Sequence, residues 1–220
     1  SGYSVSLSSD GSVVAIGAHY NDGNGSNSGH VRIYQNNSGT WQQIGSDIDG
    51  EAAGDYFGRS VSLSSDGSVV AIGADYNDGN GNHSGHVRIY QNNSGTWQQI
   101  GSDIDGEAAD DYSGKSVSLS SDGSVVAIGA PFNDGNGSAS GHVRIYQNDV
   151  IPTLSSSSPA DNATAVAGNS NIVLNFSEAV DVESGNITIK KTSDNSTIET
   201  IDVTSGQVTG SGTTQITINP

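Results

Sequence analysis

The sequence of 220 residues has no cysteine and no methionine, four prolines, two tryptophans and only seven lysines and arginines. Each shortage excludes something. Without cysteine there is no disulfide scaffold, no thiolate metal site and no cysteine nucleophile. Seven basic side chains against 24 acidic ones leave a formal net charge of −17. No basic patch then remains to neutralise phosphates, which argues against nucleic-acid binding. No run of ~18 apolar residues occurs, so nothing reads as a helix that spans a bilayer. Hydrophobic residues make up only 32% of the chain, while glycine alone contributes 30 residues. Gly, Asn, Ser and Asp are poor helix formers and favour turns, so the composition points to an all-β chain. The acidity fits a calcium-rich or saline exterior better than cytosol.

What is present is a repeat. The phrase SVSLSSDGSVVAIGA begins at Ser4, Ser60 and Ser116, a fixed spacing of 56 residues. GHVRIYQ follows at Gly29, Gly85 and Gly141, and NNSGTWQQIGSDIDGEAA begins at Asn36 and again at Asn92. Each unit reads as four short strands. Ser4 to Ser8 alternates apolar and polar residues, and Ser9-Asp10-Gly11 turns the chain. Val13 to Ile16 is apolar on both faces, as a strand buried on both sides should be. His30 to Tyr34 alternates again, and Thr40 to Ile44 follows the turn at Asn36–Gly39. A four-stranded antiparallel unit repeated along the chain predicts β-propeller blades stacked face to face.

The order Phe57-Gly58, Ser60-Val61, Val70 to Ala74, then Gly85 to Tyr90 resembles the FG-GAP repeat of integrin-α-type propellers. The third unit even reads Gly129-Ala130-Pro131. Two departures are visible. The motif's Phe is kept only at Phe57, with Ser1 and Ser113 at the matching positions, and the family's acidic calcium loop is shortened to Ser-Ser-Asp-Gly. The repeats divide as 1–56, 57–112 and 113–148. Residues 149–158, with a run of four serines, read as a linker.

From Pro159 the pattern changes. Pro159-Ala160-Asp161-Asn162, then Asn171 to Glu178, then Gly185 to Ile189 give short alternating strands between turns. The stretch 159–220 is similar to the bacterial Ig-like domains of S-layer and surface proteins (SbsA-type), here a partial β-sandwich. Three blades are fewer than the four to eight that close a propeller, so the chain reads as part of a longer surface protein.

Two oxygen-rich sets are candidate calcium ligands. The first is the Asp-Gly-Asn-Gly loop: Asp22, Asn24 and Ser26, repeated as Asp78, Asn80 and Asn82 and as Asp134, Asn136 and Ser138. Alternating oxygen side chains are how such loops wrap a hard cation, although a long Asx-capped turn has the same composition. The second is the connector between blades: Asp47, Asp49, Glu51 and Asp55, repeated as Asp103, Asp105, Glu107 and Asp111. Its spacing also matches a calcium loop, or a turn whose carboxylates face water. His30, His86 and His142 recur once per blade and read as hydrogen-bonding groups. Trp41 and Trp97 offer either a sugar-stacking platform or cover for a blade rim. No nucleophile elbow or asymmetric acid–base pair is visible, so no catalytic residue and no cofactor beyond Ca2+ are expected. The expected function is a non-enzymatic module, secreted or on a bacterial cell surface, binding a protein or glycan ligand. An accessory, carbohydrate-binding region of a large secreted enzyme is the alternative. Self-association through open blade faces is expected in either case.

Overall fold

The computed structural model describes residues 1–147, 152, 154–160, 163, 167–168, 170–191 and 193–220. The described residues form strands and turns, with no helix among them, and divide into two units, Ser1–Val150 and Ile151–Pro220. The all-β reading holds. Asn148 at the end of the predicted third repeat, Asp149 to Ile151 and Thr153 in the predicted linker, and Asp161 and Asn162 in the opening of the Ig-like stretch lie outside the described residues.

The first repeat is an antiparallel meander of β1 (Ser4–Leu7), β2 (Val13–Ala18), β3 (His30–Asn37) and β4 (Thr40–Gln43). A short fifth strand, β5 (Ile48–Asp49), returns to pair with His30 and Val31 at the start of β3. The second repeat copies this as β6 (Ser60–Leu63), β7 (Val69–Ala74), β8 (His86–Asn93), β9 (Thr96–Gln99) and β10 (Ile104–Asp105). The third has β11 (Ser116–Leu119), β12 (Val125–Ala130) and β13 (His142–Gln147). Four strands per complete repeat were legible. The fifth, two residues long, is too short for any periodicity to mark it.

The sheets stack on one another, with β6 against β1 on one side and β11 on the other. One core joins Val13, Ala15, Val31, Ile33 and Ile48 of the first repeat to Phe57, Leu63, Val70, Ile72 and Tyr90 of the second. A second core joins Val69, Ala71, Val87 and Ile89 to Val126 and Ile128. Only the middle repeat has a neighbour on both faces. Accordingly every residue of β7 is buried, whereas the identical VVAIGA sequence alternates between buried and half-buried in β12. The mirror of this is solvent exposure of Val5 and Leu7 on β1 and of Val143 and Ile145 on β13, at 60–71%.

The serines of SVSLS face the next sheet. Ser6 Oγ accepts the Leu63 N–H at 3.0 Å, and Ser62 Oγ accepts that of Leu119 at 3.0 Å. Ser4 and Ser60 donate their hydroxyls to the carbonyls of Gly58 and Gly114, both at 2.7 Å. The backbone N–H groups of Ser9 and Ser65 reach Ser65 O and Ser121 O at 2.8 Å. So the polar half of the alternation is not a solvated face but a hydrogen-bonded seam between repeats. The glycine of VVAIGA belongs to that seam. A Cβ on Gly17 or Gly73 would collide with the carbonyl of Gly58 or Gly114.

The second unit has one sheet of β14 (Leu154–Ser158), β15 (Ile172–Val180), β18 (Val208–Thr209) and β19 (Thr213–Ile218), ordered β14-β15-β19-β18. A pair of strands, β16 (Asn186–Lys190) and β17 (Thr197–Asp202), forms the other. Ile201, Val208, Ile216 and Ile218 are its buried centre. Leu154–Ser158, read above as the end of a linker, pairs instead with β15 from Val173 to Phe176. Serine-rich composition hid this strand. Its backbone supplies the ladder, and its largely exposed side chains need not be apolar.

Candidate functional site

The alternation of β3 puts His30, Arg32 and Tyr34 on one side and Val31 and Ile33, both buried in the shared core, on the other. In the second repeat the matching side of β8 carries His86, Arg88 and Tyr90. Arg32 meets Asp47 with three hydrogen bonds, Nε to Oδ1 and to Oδ2, both at 3.0 Å, and Nη2 to Oδ2 at 2.8 Å. Gln43 Nε2 donates to Asp47 Oδ1 at 2.8 Å, and His30 Nδ1 lies 3.4 Å from Oδ2. Arg88 repeats this on Asp103 at 3.0 and 2.9 Å. It also pairs with Glu51, which comes from the preceding connector. In the third repeat His142 and Arg144 approach Glu107 at 3.6 and 3.7 Å.

These contacts move proton affinities. The Arg32 hydrogen bonds hold Asp47 below the ordinary carboxylate value. At Asp103 burial pushes the other way and is outweighed by hydrogen bonds from Arg88 and Gln99. His30 and His86 are lowered, chiefly by burial and further by Arg32 and Arg88, against the opposing pull of Asp47 and Asp103. His19 is lowered by burial and then by Arg59. Folded imidazoles that resist protonation leave the unfolded chain binding more protons below its ordinary value of ~6.5. Stability is therefore complete above that pH and is lost as pH falls from there toward the lowered folded values. Asp75 works in the opposite sense, because burial raises its carboxyl. The expected result is a lower urea midpoint for the repeat unit at pH 5.5 than at pH 7.5. Each histidine contributes at most ~1.4 kcal/mol per pH unit. His86→Gln should flatten the dependence, and a midpoint independent of pH would refute the assignment.

The predicted calcium residues of the loops make hydrogen bonds within the chain. Asp22 Oδ1 accepts the Asn27 N–H, Asp78 that of His83 and Asp134 that of Ala139, at 2.6–2.7 Å. Asn24 points its Nδ2 at the carbonyls of Gly50 and Glu51, at 2.8 and 3.2 Å, and Asn80 at those of Gly106 and Glu107. The Ser26 and Asn82 carbonyls accept the N–H groups of Gly54 and Asp110. Asn136 and Ser138 are exposed in the third repeat. In the first two repeats the loops thus clip the repeat to its own connector.

Of the connector residues, Asp47 and Asp103 are closed by guanidinium groups, and Asp49 Oδ1 stands 4.0 Å from His30 Nδ1. Asp105 pairs with His86 through the backbone. Asp55 and Asp111 are buried. Each caps its own turn and accepts the amide of Asn77 or Asn133 in the next repeat, at 3.1 and 2.9 Å. Among the described residues, ligating atoms come within 4.8 Å of one another in two groups, His30–Asp47–Asp49 and Glu51–His86–Asp103. Each combines one imidazole with two carboxylates, of which Asp47, Glu51 and Asp103 also meet an arginine, whereas calcium takes six to eight oxygens.

Trp97 is engaged as well. Its Nε1 donates to Ile44 O of the preceding repeat at 3.0 Å, while Trp41 is exposed.

A feature missed in the sequence is a row of aromatic rings carried by loops of all three repeats. Tyr20, Tyr56, Tyr76, Tyr112 and Phe132 follow one another with centroids 5.3, 4.7, 5.1 and 5.3 Å apart, each edge toward face. Tyr56 and Tyr112 occupy the left-handed region, with φ of 57° and 55°. For a bulky residue that conformation is uncommon and strained, and such strain gathers at functional positions. Asp75 is buried beside the row, 3.6 Å from Arg59 and 3.5 Å from Lys115. Lys115 Nζ also lies 5.3 and 5.6 Å from the rings of Tyr112 and Phe132. Tyr76, Tyr112, Lys115, Phe132, Asp110 and Asp134 line a cavity of about 450 Å³. The signal was available: aromatics recur at the 56-residue period as Tyr56/Tyr112 and as Tyr20/Tyr76/Phe132.

The FG-GAP repeat family matches residues 47–90 and 103–146, each match running from a connector through the first three strands of the following repeat. The bacterial Ig-like domain family matches residues 148–220. No curated protein matches the chain. Among solved structures, a putative 6-phosphogluconolactonase from Bacteroides uniformis is 15% identical with a TM-score of 0.37, covering 98% of this chain and 57% of its own. A fungal alcohol oxidase of the AA5 family, in complex with copper, is 13% identical with a TM-score of 0.38, covering 98% and 46%. The chain therefore spans about half the length of these structures, and likeness at such scores carries no argument about activity.

Proposed function

We propose that this chain, built of FG-GAP repeats followed by a bacterial Ig-like domain, is a non-enzymatic binding module that takes its ligand on the aromatic row. Both domain types are typical of extracellular or cell-surface proteins, and no helix among the described residues is long and apolar enough to cross a membrane. The row carries the reading. Loops held by a rigid stack of sheets are where proteins place recognition residues. Aromatic side chains offer large contact area at low entropic cost, and their polar rims suit either a protein surface or a sugar. Lys115, Asp110 and Asp134 around the cavity supply the orienting polar groups such sites use.

The test is a glycan array and a panel of extracellular proteins probed with the whole chain and with Phe132→Ala. Phe132 is exposed, so its removal should leave the unfolding midpoint unchanged. Binding should weaken at least ~10-fold, or ~1.4 kcal/mol. A ligand held equally by both proteins would place recognition elsewhere.

A further inference from the structure

Each repeat contains Asn-Asp-Gly-Asn-Gly once, at 21–25, 77–81 and 133–137, and these loops hold the only Asn-Gly pairs of the chain: Asn24-Gly25, Asn80-Gly81 and Asn136-Gly137. Asparagine is a thermolabile residue, most of all before glycine. With no Cβ on the glycine to hinder it, the glycine's backbone nitrogen can reach the asparagine side-chain carbonyl carbon and close a five-membered ring. To react, the amide must turn out of any hydrogen bonds it makes, and the backbone around it must bend.

Within themselves the three loops are alike. The N–H groups of Gly25, Gly81 and Gly137 donate to the carbonyls of Asp22, Asp78 and Asp134 at 3.3, 3.2 and 3.0 Å. Those of Asn24, Asn80 and Asn136 donate to Ser28, Ser84 and Ser140 Oγ, each at 3.3 Å. The difference lies in what crosses them. Asn24 Nδ2 is held by the carbonyls of Gly50 and Glu51, and Asn80 Nδ2 by those of Gly106 and Glu107. The same connectors press on the glycines: a Cβ on Gly25 would stand 3.1 Å from Ala53 Cβ, and one on Gly81 3.2 Å from Ala109 Cβ. After β13 the chain runs instead into the stretch matched by the Ig-like family. Among the described residues no group bonds the Asn136 side-chain amide, and a Cβ on Gly137 would meet nothing within 4 Å.

We infer that Asn136 is a site of spontaneous covalent modification, converted by water to aspartate and isoaspartate, while the connectors protect Asn24 and Asn80. Gly137 N, deprotonated by hydroxide, attacks Asn136 Cγ. A Cγ–N bond forms, the Cγ–Nδ2 bond breaks, and ammonia leaves with a proton taken from water. A water molecule then opens the ring at either of its two carbonyls. In sum, one amide and one water give one carboxylate and one ammonium ion. The new negative charge stands two residues from Asp134, which lines the cavity beside Tyr112 and Phe132.

The experiment incubates the whole folded chain at mildly alkaline pH and follows it by tryptic peptide mapping and mass spectrometry. Arg32, Arg59, Arg88, Lys115 and Arg144 place the three Asn-Gly pairs in separate tryptic peptides. Asn136 is expected to convert at least ~10-fold faster than Asn24 or Asn80, a barrier difference of ~1.4 kcal/mol. Residues 21–26 and 133–138 are identical, so Asn24 is the internal control, and in urea its rate should rise to that of Asn136. Equal rates in the folded chain, or a gap that persists in urea, would overturn the proposal. Asn136→Asp should abolish the fast release of ammonia and leave the unfolding midpoint unchanged. Fast release that survives this substitution would place the reaction at another residue. No ligand enters the measurement, so its outcome is independent of the aromatic-row reading.

Discussion

Replacing Phe57 by alanine is expected to destabilise the repeat unit by ~3–5 kcal/mol, the range for deleting a buried aromatic side chain. Phe57 is fully buried, at the end of the connector from the first repeat, within the core shared with the second. Its ring stands edge-on to His86 and Tyr90, with centroids 6.5 and 6.4 Å away. Its backbone N–H donates to Ser28 O at 3.0 Å, so the site is held on both sides and can collapse little around a void. At the matching point between the second and third repeats the chain has Ser113, also buried. The first interface therefore contains more apolar volume than the second. Chemical denaturation with both variants checks this: Phe57→Ala should lower the midpoint steeply, and Ser113→Ala should change it little. Equal small effects would mean that Phe57 is not the anchor of the stack.

The second large effect separates two arginines with the same sequence surroundings. Arg88→Ala is expected to cost ~2–3 kcal/mol, and Arg32→Ala below ~1 kcal/mol, as for an exposed pair. Arg88 is buried between Glu51 and Asp103, while Arg32 meets Asp47 in water. The Arg88 figure stays below that for a fully enclosed pair because Asp103 and Glu51 retain 30% and 51% exposure and rehydrate when the guanidinium is removed. Urea titration of the two variants would decide it. Equal losses would show that the connector glutamate adds nothing to the Arg–Asp pair.

The contrast shows how far the sequence could be read. Strand positions, the turn at Asp10 and the stacking of repeats follow from alternation and period, which are local properties of the chain. Whether an identical residue is buried depends on how many neighbours its repeat has, and no window of sequence holds that. The surroundings of the candidate calcium sets were out of reach for the same reason. Asp47 and Asn24 carry the right atoms at the right spacing, but Arg32, 15 residues before Asp47, and the carbonyls of Gly50 and Glu51, 26 and 27 residues beyond Asn24, claim those atoms first. The aromatic row was hidden because its members alternate between two loops, Tyr56 and Tyr112 from one and Tyr20, Tyr76 and Phe132 from the other. Leu154–Ser158 was hidden because a strand recognised by its ladder need not advertise itself in side chains.

The seam of serine hydroxyls between the sheets gives the repeat unit a polarity, like that of beads threaded in one direction. Ser4 and Ser6 point forward to the second repeat, Ser60 and Ser62 to the third, and nothing on the receiving side sends an equivalent hydroxyl back. A stack joined this way has distinguishable ends: Val5 and Leu7 mark one, and Val143 and Ile145 the other. Two like ends present the same half of the joint, so a mirrored pairing of two stacks lacks its hydrogen-bond complement. Growth by addition of repeats is consequently vectorial, and a duplication of 56 residues inserted anywhere along the array reproduces both halves of the joint it interrupts.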